Sequence, residues 1–231
     1  MKVVIFCGGQ GLRFANSTVD VPKVLAPIGD RPILWHLMTF YARYGHADFI
    51  LCLGDRGDEI RSAFSKASGF RIDFAETGDH TPTGGRLHQV ADRLKGERFL
   101  ATYGDGLSDV DVDHLVQDHE RSGRLATLTS VRPSSQYGVL EIDPTETVRA
   151  FAEKPRLPFW INAGFFVFEP QVLDLLDPDK DLETGLLERL TSMGELHAHR
   201  HEGFWKSMDT FKENREFNSM WESGRCPWRM T

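Results

Sequence analysis

The chain has 231 residues and a formal net charge of −7, from 27 Lys and Arg against 34 Asp and Glu. With 40% hydrophobic and 26% charged residues it has ordinary globular composition, and its acidic balance disfavours non-specific binding to nucleic acid or to anionic membrane surfaces. No apolar run approaches the roughly 18 residues of a membrane span; Val3–Cys7 is too short for a signal-peptide core, and Cys7, Cys52 and Cys226 frame neither a disulfide scaffold nor a zinc site.

The elements predicted in chain order begin with Val3-Val4-Ile5-Phe6, a continuous apolar run expected of a strand buried on both faces. Ile33, Leu34, Leu37, Met38 and Tyr41 recur at helical spacing after Pro32, a residue favoured at helix starts. A strand over Asp48–Leu53, a helix over Asp58–Lys66, a strand over Phe70–Phe74, a helix over Gly84–Leu94 and a strand over Arg98–Thr102 follow. This alternation predicts a parallel, helix-covered sheet with right-handed crossovers. Later come strands at Ala126–Val131, Val139–Ile142, Val148–Glu153 and Ile161–Phe168, then helices over Leu182–Met193 and Thr210–Trp221. No linker, repeat or low-complexity stretch interrupts the chain. The expected architecture is therefore one domain over 1–231, α/β, with a mixed, mostly parallel sheet covered by helices.

Four groups of residues could carry chemistry. Gly8-Gly9-Gln10-Gly11-Leu12-Arg13 follows the first strand, where glycines let backbone approach a ligand and where open α/β sheets bind ligands. Its spacing fits neither the Walker A nor the dinucleotide pattern, and a tight strand-exit turn is the plainer alternative. Lys23, stiffened by Pro22, could hold a phosphate with Arg13, the guanidinium as a fork and the ammonium as a point charge. Asp105, flanked by glycines after a buried strand, suits a hard cation such as Mg²⁺, or simply a turn. Asp209 is a candidate second carboxylate, or alternatively the N-cap of the last helix. Glu153-Lys154 and Asn162 lie at strand edges, where the Glu-Lys pair before Pro155 is either a solvated strand end or, with Asn162, a site for sugar hydroxyls and a phosphate. Two minor readings accompany these. His197, His199 and His201 alternate along a predicted strand, which suits a solvated face better than a metal site, and Trp205 is the tryptophan expected nearest a ligand.

With these motifs the sequence resembles the sugar-1-phosphate nucleotidyltransferases, and among them the cytidylyl-transferring branch that acts on glucose 1-phosphate. The likeness runs nearly end to end. It includes GGQGLR, Pro22-Lys23, Thr77-Gly78-Asp79, Thr83-Gly84-Gly85-Arg86, Tyr103-Gly104-Asp105-Gly106, Tyr137-Gly138, Phe151-Ala152-Glu153-Lys154-Pro155, Asn162-Ala163-Gly164 and Gly203–Thr210.

The resemblance implies a Rossmann-like nucleotidyltransferase fold and the reaction CTP + sugar 1-phosphate → CDP-sugar + pyrophosphate in the cytoplasm, by a homo-oligomer. Its nucleotide-binding half would span about 1–125 and its sugar-phosphate half about 126–231. By motif, Gly8, Gly9 and Gly11 would underlie the nucleotide, Arg13 would meet the leaving phosphates and Lys23 the α-phosphate, with Arg13 and Lys23 as catalytic cations. Thr77, Gly78, Gly84, Gly85 and Arg86 would line the base pocket. Asp105 and Asp209 would bind Mg²⁺, while Gly138, Glu153, Lys154 and Asn162 would hold the sugar phosphate. Another nucleotide (UTP, dTTP or GTP) or another phosphorylated substrate is the alternative. Three departures from the family pattern stand out: Leu12 where a threonine is usual, a shortened 64–77 stretch, and Ala163 in place of a glycine.

Overall fold

The computed structural model describes residues 1–9 and 21–229. Its first strand, β1 (Lys2–Phe6), is followed by a short ladder of β2 (Pro27–Ile28) and β3 (Arg31–Pro32), and then by α1 (Ile33–Arg43). Three further β–α steps follow: β4 (Asp48–Leu53), α2 (Gly57–Phe64), β5 (Arg71–Glu76), α3 (Thr83–Gln89), β6 (Phe99–Tyr103), β7 (Gly106–Ser108) and α4 (Val112–Ser122). The remainder comprises β8 (Ala126–Val131), β9 (Val139–Ile142), β10 (Val148–Ala152), β11 (Ile161–Phe168), α5 (Glu188–Met193), β12 (Leu196–Arg200), β13 (Trp205–Ser207) and α6 (Phe211–Glu222).

Seven strands form the central sheet in the order β12-β8-β11-β6-β1-β4-β5. Only β11 runs against the others, pairing antiparallel with β6 and β8; the other four pairings are parallel. The continuous apolar run of β1 is explained by burial from both sides. Val3 and Ile5 enter one hydrophobic cluster, packed with α1, while Val4 and Phe6 enter the other, packed with α3 and α5. A mixed, mostly parallel sheet covered by helices is thus the observed fold class.

Three local expectations are corrected, and one helix, α4, was not predicted. The helix predicted over Gly84–Leu94 ends at Gln89, and a 3₁₀ turn over Ala91–Arg93 follows. Leu87, Val90 and Leu94 are all buried, and a tight turn satisfies their spacing as well as an α-helix does. Helix α4 lacked a clear apolar stripe in the sequence because it buries only Val112, Leu115 and His119. Its ends are nevertheless marked: the Asp111 carboxylate accepts from His114 N at 2.9 Å, and Gly123 closes it at φ 62°. The helix expected from Leu182 opens as a π-helical turn over Glu183–Leu187 before α5. Finally, β9 and β10 form a separate exposed two-stranded ribbon.

Candidate active site

The C-terminal ends of the parallel strands β1 and β6 open into a cavity of about 600 Å³. Gly8 and Gly9 leave β1 on one side of it, and Tyr103 and Asp105 leave β6 on the other. Backbone contacts fix this junction: Cys7 N donates to Cys52 O at 3.0 Å and Gly104 N to Phe6 O at 3.1 Å. A side chain at Gly104 would meet Val24 Cγ1 at 2.8 Å, so glycine there lets the Lys23–Leu25 3₁₀ turn pack directly under Asp105.

Lys23 consequently projects between two carboxylates. Its Nζ donates to Asp105 Oδ2 at 2.5 Å and to Asp209 Oδ1 at 2.8 Å. Asp209 is brought there by β13, which pairs with β7, and by Met208 N donating to Asp105 O at 2.8 Å. Burial by itself would depress the Lys23 ammonium, but Asp105 and then Asp209 outweigh it, and its pKa stands above the usual lysine value. The Lys23 ammonium therefore stays protonated through neutral and mildly alkaline pH. Asp209 is not the cap of α6: Thr210 fills that position, in a capping box with Glu213. Asp209 lines the cavity instead, with Ser207 Oγ donating to its Oδ2 at 2.9 Å.

Asp105 and Asp209 offer only carboxylate oxygens, the donor type a hard divalent ion takes, and both meet on the Lys23 ammonium. Mg²⁺ commonly uses one or two carboxylates and completes its shell with substrate phosphates. Among the described residues no group of three or more His, Cys, Asp or Glu side chains could hold a metal by itself. His197 and His199 both meet Asp118, at 3.2 and 3.0 Å, and His201 meets Asp109 at 2.8 Å. The expected solvated histidine face is thus a set of carboxylate pairs, with His199 buried.

Arg86 lies in the cavity wall, only 4% exposed. Its Nη1 donates to Leu53 O and Thr77 Oγ1 at 2.9 and 2.6 Å, and its Nη2 to Gly8 O at 2.9 Å. A Cβ on Gly8 would lie 2.0 Å from this guanidinium. The first glycine of the loop therefore makes room for Arg86 as much as for any ligand. Thr77 is buried behind the wall, with Gly78 in a left-handed turn at φ 88°. Gly84 and Gly85 face the 177–180 segment, where Cβ atoms would meet Lys180 O at 2.5 Å and Pro178 O at 2.4 Å. These four residues shape the pocket from behind, and the surface itself comes from Asp79, His80, Thr81, Pro82 and Thr83.

The remaining predicted residues are distributed unevenly. Gly11 and Arg13 lie outside the described residues, as does Leu12. Asn162 sits in a β11 bulge, its Oδ1 accepting from Gly164 N at 2.9 Å, and its side chain also bonds the Tyr103 phenol. Glu153 and Lys154 are exposed beyond β10, 3.6 Å from each other, and do not line this cavity. Gly138 packs beside them, where a Cβ would lie 3.2 Å from Glu153 Oε2 and 2.7 Å from Phe151. Trp205 is tied elsewhere, its Nε1 donating to Ala163 O at 2.8 Å.

Asp181 and Tyr103 are among the wall residues absent from the predicted site, as are His80, Thr81 and Pro82. Asp181 accepts from Thr83 N at 3.2 Å, and Tyr103 donates its phenol to Glu183. Burial first, and then the Glu183 carboxylate, push that phenol's pKa well up, so it remains a donor. Tyr103 adjoins the GDG motif, a signal that was available; Asp181 and Glu183, at the start of the helix predicted from Leu182, carried none.

The candidate site is thus a glycine-edged cavity at parallel strand ends, floored by one ammonium and two carboxylates. The Nucleotidyl transferase family model matches residues 2–220, and the chain belongs to that family. Among curated proteins it is 39% identical over 254 aligned positions to a Bacillus subtilis protein named "Probable glucose-1-phosphate cytidylyltransferase", with all of both chains covered. It is 38% identical to the glucose-1-phosphate cytidylyltransferase of Salmonella typhimurium, with 99% of each covered. The crystal structure of HddC from Yersinia pseudotuberculosis superposes with a TM-score of 0.75 at 22% identity, over 95% of this chain and 99% of that one; this likeness concerns the fold.

Proposed function

We propose that this protein transfers the cytidylyl group of CTP to a sugar 1-phosphate, glucose 1-phosphate first among them, giving CDP-sugar and pyrophosphate. The observation that carries the reading is the Lys23–Asp105–Asp209 cluster at the ends of β1 and β6, in a chain 38–39% identical to curated glucose-1-phosphate cytidylyltransferases over its whole length.

In this reaction an oxygen of the sugar phosphate bonds to the α-phosphorus of CTP while the bond from that phosphorus to the β-bridging oxygen breaks. The electron pair leaves with pyrophosphate. The nucleophile is already an anion at neutral pH, so no strong general base is required, and the work is in-line positioning and charge stabilisation. Lys23 supplies a fixed positive charge for the α-phosphate as negative charge accumulates on it. Gly8 and Gly9 present backbone to the triphosphate, and Arg13 is assigned to the leaving phosphates. The wall from Asp79 to Thr83, braced by Arg86 with Thr77, Gly78, Gly84 and Gly85 behind it, receives the base. Asp105 and Asp209 would hold Mg²⁺, which when bound offsets phosphate charge.

Asn162 and Tyr103 would meet the sugar, and Gly138, Glu153 and Lys154, on the exposed β9–β10 ribbon, are assigned to its phosphate by the family likeness alone. Residues 1–125 carry the nucleotide and 126–231 the sugar phosphate, apart from Tyr103, which would face the sugar, and Asp181 and Asp209, which line the nucleotide side. Cytoplasmic location and homo-oligomeric state belong to this reading and rest on the family likeness. Pyrophosphate release from CTP, UTP, dTTP and GTP against a panel of sugar 1-phosphates, with and without Mg²⁺, tests it. Release confined to CTP with glucose 1-phosphate is expected, and preference for another nucleotide overturns the cytidylyl assignment.

A further inference from the structure

Residues paired across neighbouring strands point their side chains to one face of a sheet, as do residues two positions apart along a strand. Ser130 of β8 is paired with Asn162 of β11 on one side and with Arg200 of β12 on the other. Arg132, just past the end of β8, and Trp160, just before β11, continue that pairing on the same face. The side chains meet there: the Arg132 and Arg200 guanidiniums each lie over the Trp160 indole, 5.4 Å from its centre. We propose that these three side chains form an anion subsite beyond Asn162, for a hexose phosphate whose phosphate is remote from the anomeric carbon, a hexose 6-phosphate.

The cations of this cluster are incompletely paired, in a protein of net charge −7. Its carboxylate, Glu202, is held by Arg156 at 2.6 Å and stands 3.4 Å from Arg132. The Arg200 side chain makes no ion pair or hydrogen bond with any described residue. Arg132 Nε is buried without a hydrogen-bond partner, whereas buried donors are normally satisfied. Ligand access remains, since Arg200 is exposed and the Arg132 side chain is 37% exposed. Stacking on an indole leaves the in-plane N–H groups of a guanidinium turned outward, in the fork that phosphate oxygens accept. Two such cations match the charge of a phosphate monoester, about −1.5 to −2 at neutral pH.

The position of the cluster says what carries the phosphate. Tyr103 lines the catalytic cavity and bonds the Asn162 side chain. Trp160 stands two positions from Asn162, about 7 Å along the strand. A hexose ring beside Tyr103 and Asn162 therefore has its far end toward the guanidiniums. This inference rests on the reading that those two residues meet the sugar. A hexose 6-phosphate held in this way fills the acceptor position but brings no 1-phosphate to the α-phosphorus. It competes with glucose 1-phosphate and receives no cytidylyl group.

Calorimetric titration of the full chain, without CTP or Mg²⁺, tests the subsite apart from turnover. The probes are glucose 6-phosphate, glucose and inorganic phosphate. Saturable binding of glucose 6-phosphate is expected, at least about tenfold tighter than that of glucose or of inorganic phosphate. Arg132→Gln and Arg200→Gln should each weaken it by about tenfold, and Arg200→Lys, which keeps the charge without the fork, by less. In the pyrophosphate assay glucose 6-phosphate should inhibit competitively against glucose 1-phosphate. The KM for glucose 1-phosphate itself should be unchanged in all three variants. No binding, or binding that none of these variants alters, overturns the proposal. Competition against CTP alone also overturns it, by placing the ligand on the nucleotide side. The binding measurement needs no turnover, so a chain inactive toward every sugar 1-phosphate that still binds glucose 6-phosphate through Arg132 and Arg200 would overturn the proposed function and uphold the subsite.

Discussion

Lys23 and Asp209 are separated by 186 positions in the chain and by 2.8 Å in space. Their contact joins the first β–α crossover to the segment before the last helix, and Asp105 completes the cluster from β6.

Removing the ammonium tests this centre directly. Lys23→Ala should lower the turnover of pyrophosphate release by about 10²–10³-fold, the usual loss for one preorganised charge at a transition state. Asp105 and Asp209 retain partial solvent access, so their unpairing should leave the fold intact by circular dichroism. Turnover within a factor of about three of the parent would remove Lys23 from the chemistry.

Asp105→Asn keeps the shape and removes the charge. The Mg²⁺ concentration for half-maximal activity should rise by about tenfold or more. An unchanged Mg²⁺ titration would leave Asp105 as a partner of Lys23 alone.

Arg86 braces the nucleotide side of the cavity through Gly8, Leu53 and Thr77. Arg86→Met removes the donor to Gly8 O and Thr77 Oγ1 at about 1 kcal/mol each, while Leu53 O keeps Thr77 N and Thr77 Oγ1, so a melting temperature lower by roughly 4–8 °C is expected. The KM for the nucleotide should rise with it. A melting temperature unchanged in differential scanning calorimetry would show that the wall stands without this side chain.

Tyr103→Phe deletes the donor to Glu183 and the link to Asn162. Because Glu183 is exposed, the effect should be modest, a KM for the sugar phosphate raised by about three- to tenfold, with the nucleotide KM unchanged. An effect on the nucleotide alone would place Tyr103 on the other substrate.

The pH dependence of stability has its own marker in His119, buried in α4 with Nδ1 2.9 Å from Thr127 Oγ1. Burial lowers its pKa, and Glu169 offsets this only in part. The unfolded chain therefore takes up the proton first. This contribution is complete above the unfolded value of about 6.5 and is lost as pH falls below it. His36 and His46 are lowered in the same direction, also chiefly by burial. Melting temperatures measured from pH 8 to pH 5 should decline below about 6.5, and less steeply in His119→Gln; parallel curves would exclude His119.

The glycine loop, Lys23 after Pro22, and Asp105 after β6 were all legible locally, because strand ends and turn residues announce themselves in short windows. Arg86 was legible as a cation but not as a wall residue. Its partners are carbonyls, which carry no sequence signal. Helix α4 escaped because it buries only three residues along 11, and its cap signals, Asp111 and Gly123, stand at the ends of a polar stretch.

By itself the sequence determined the order of the main strands and most helices, the burial of β1 on both faces, and the kinds of charge available to the site. These follow from hydrophobic period and backbone preference within a few residues. Only the tertiary structure decided that Asp209 leaves the cap of α6 to Thr210 and turns to Lys23. It also decided that Gly84 and Gly85 serve packing, that Glu153 and Lys154 stand apart on an exposed ribbon, and that Arg132 and Arg200 meet on the Trp160 indole. Such pairings depend on strand order and crossover, which bring together residues that no local pattern connects.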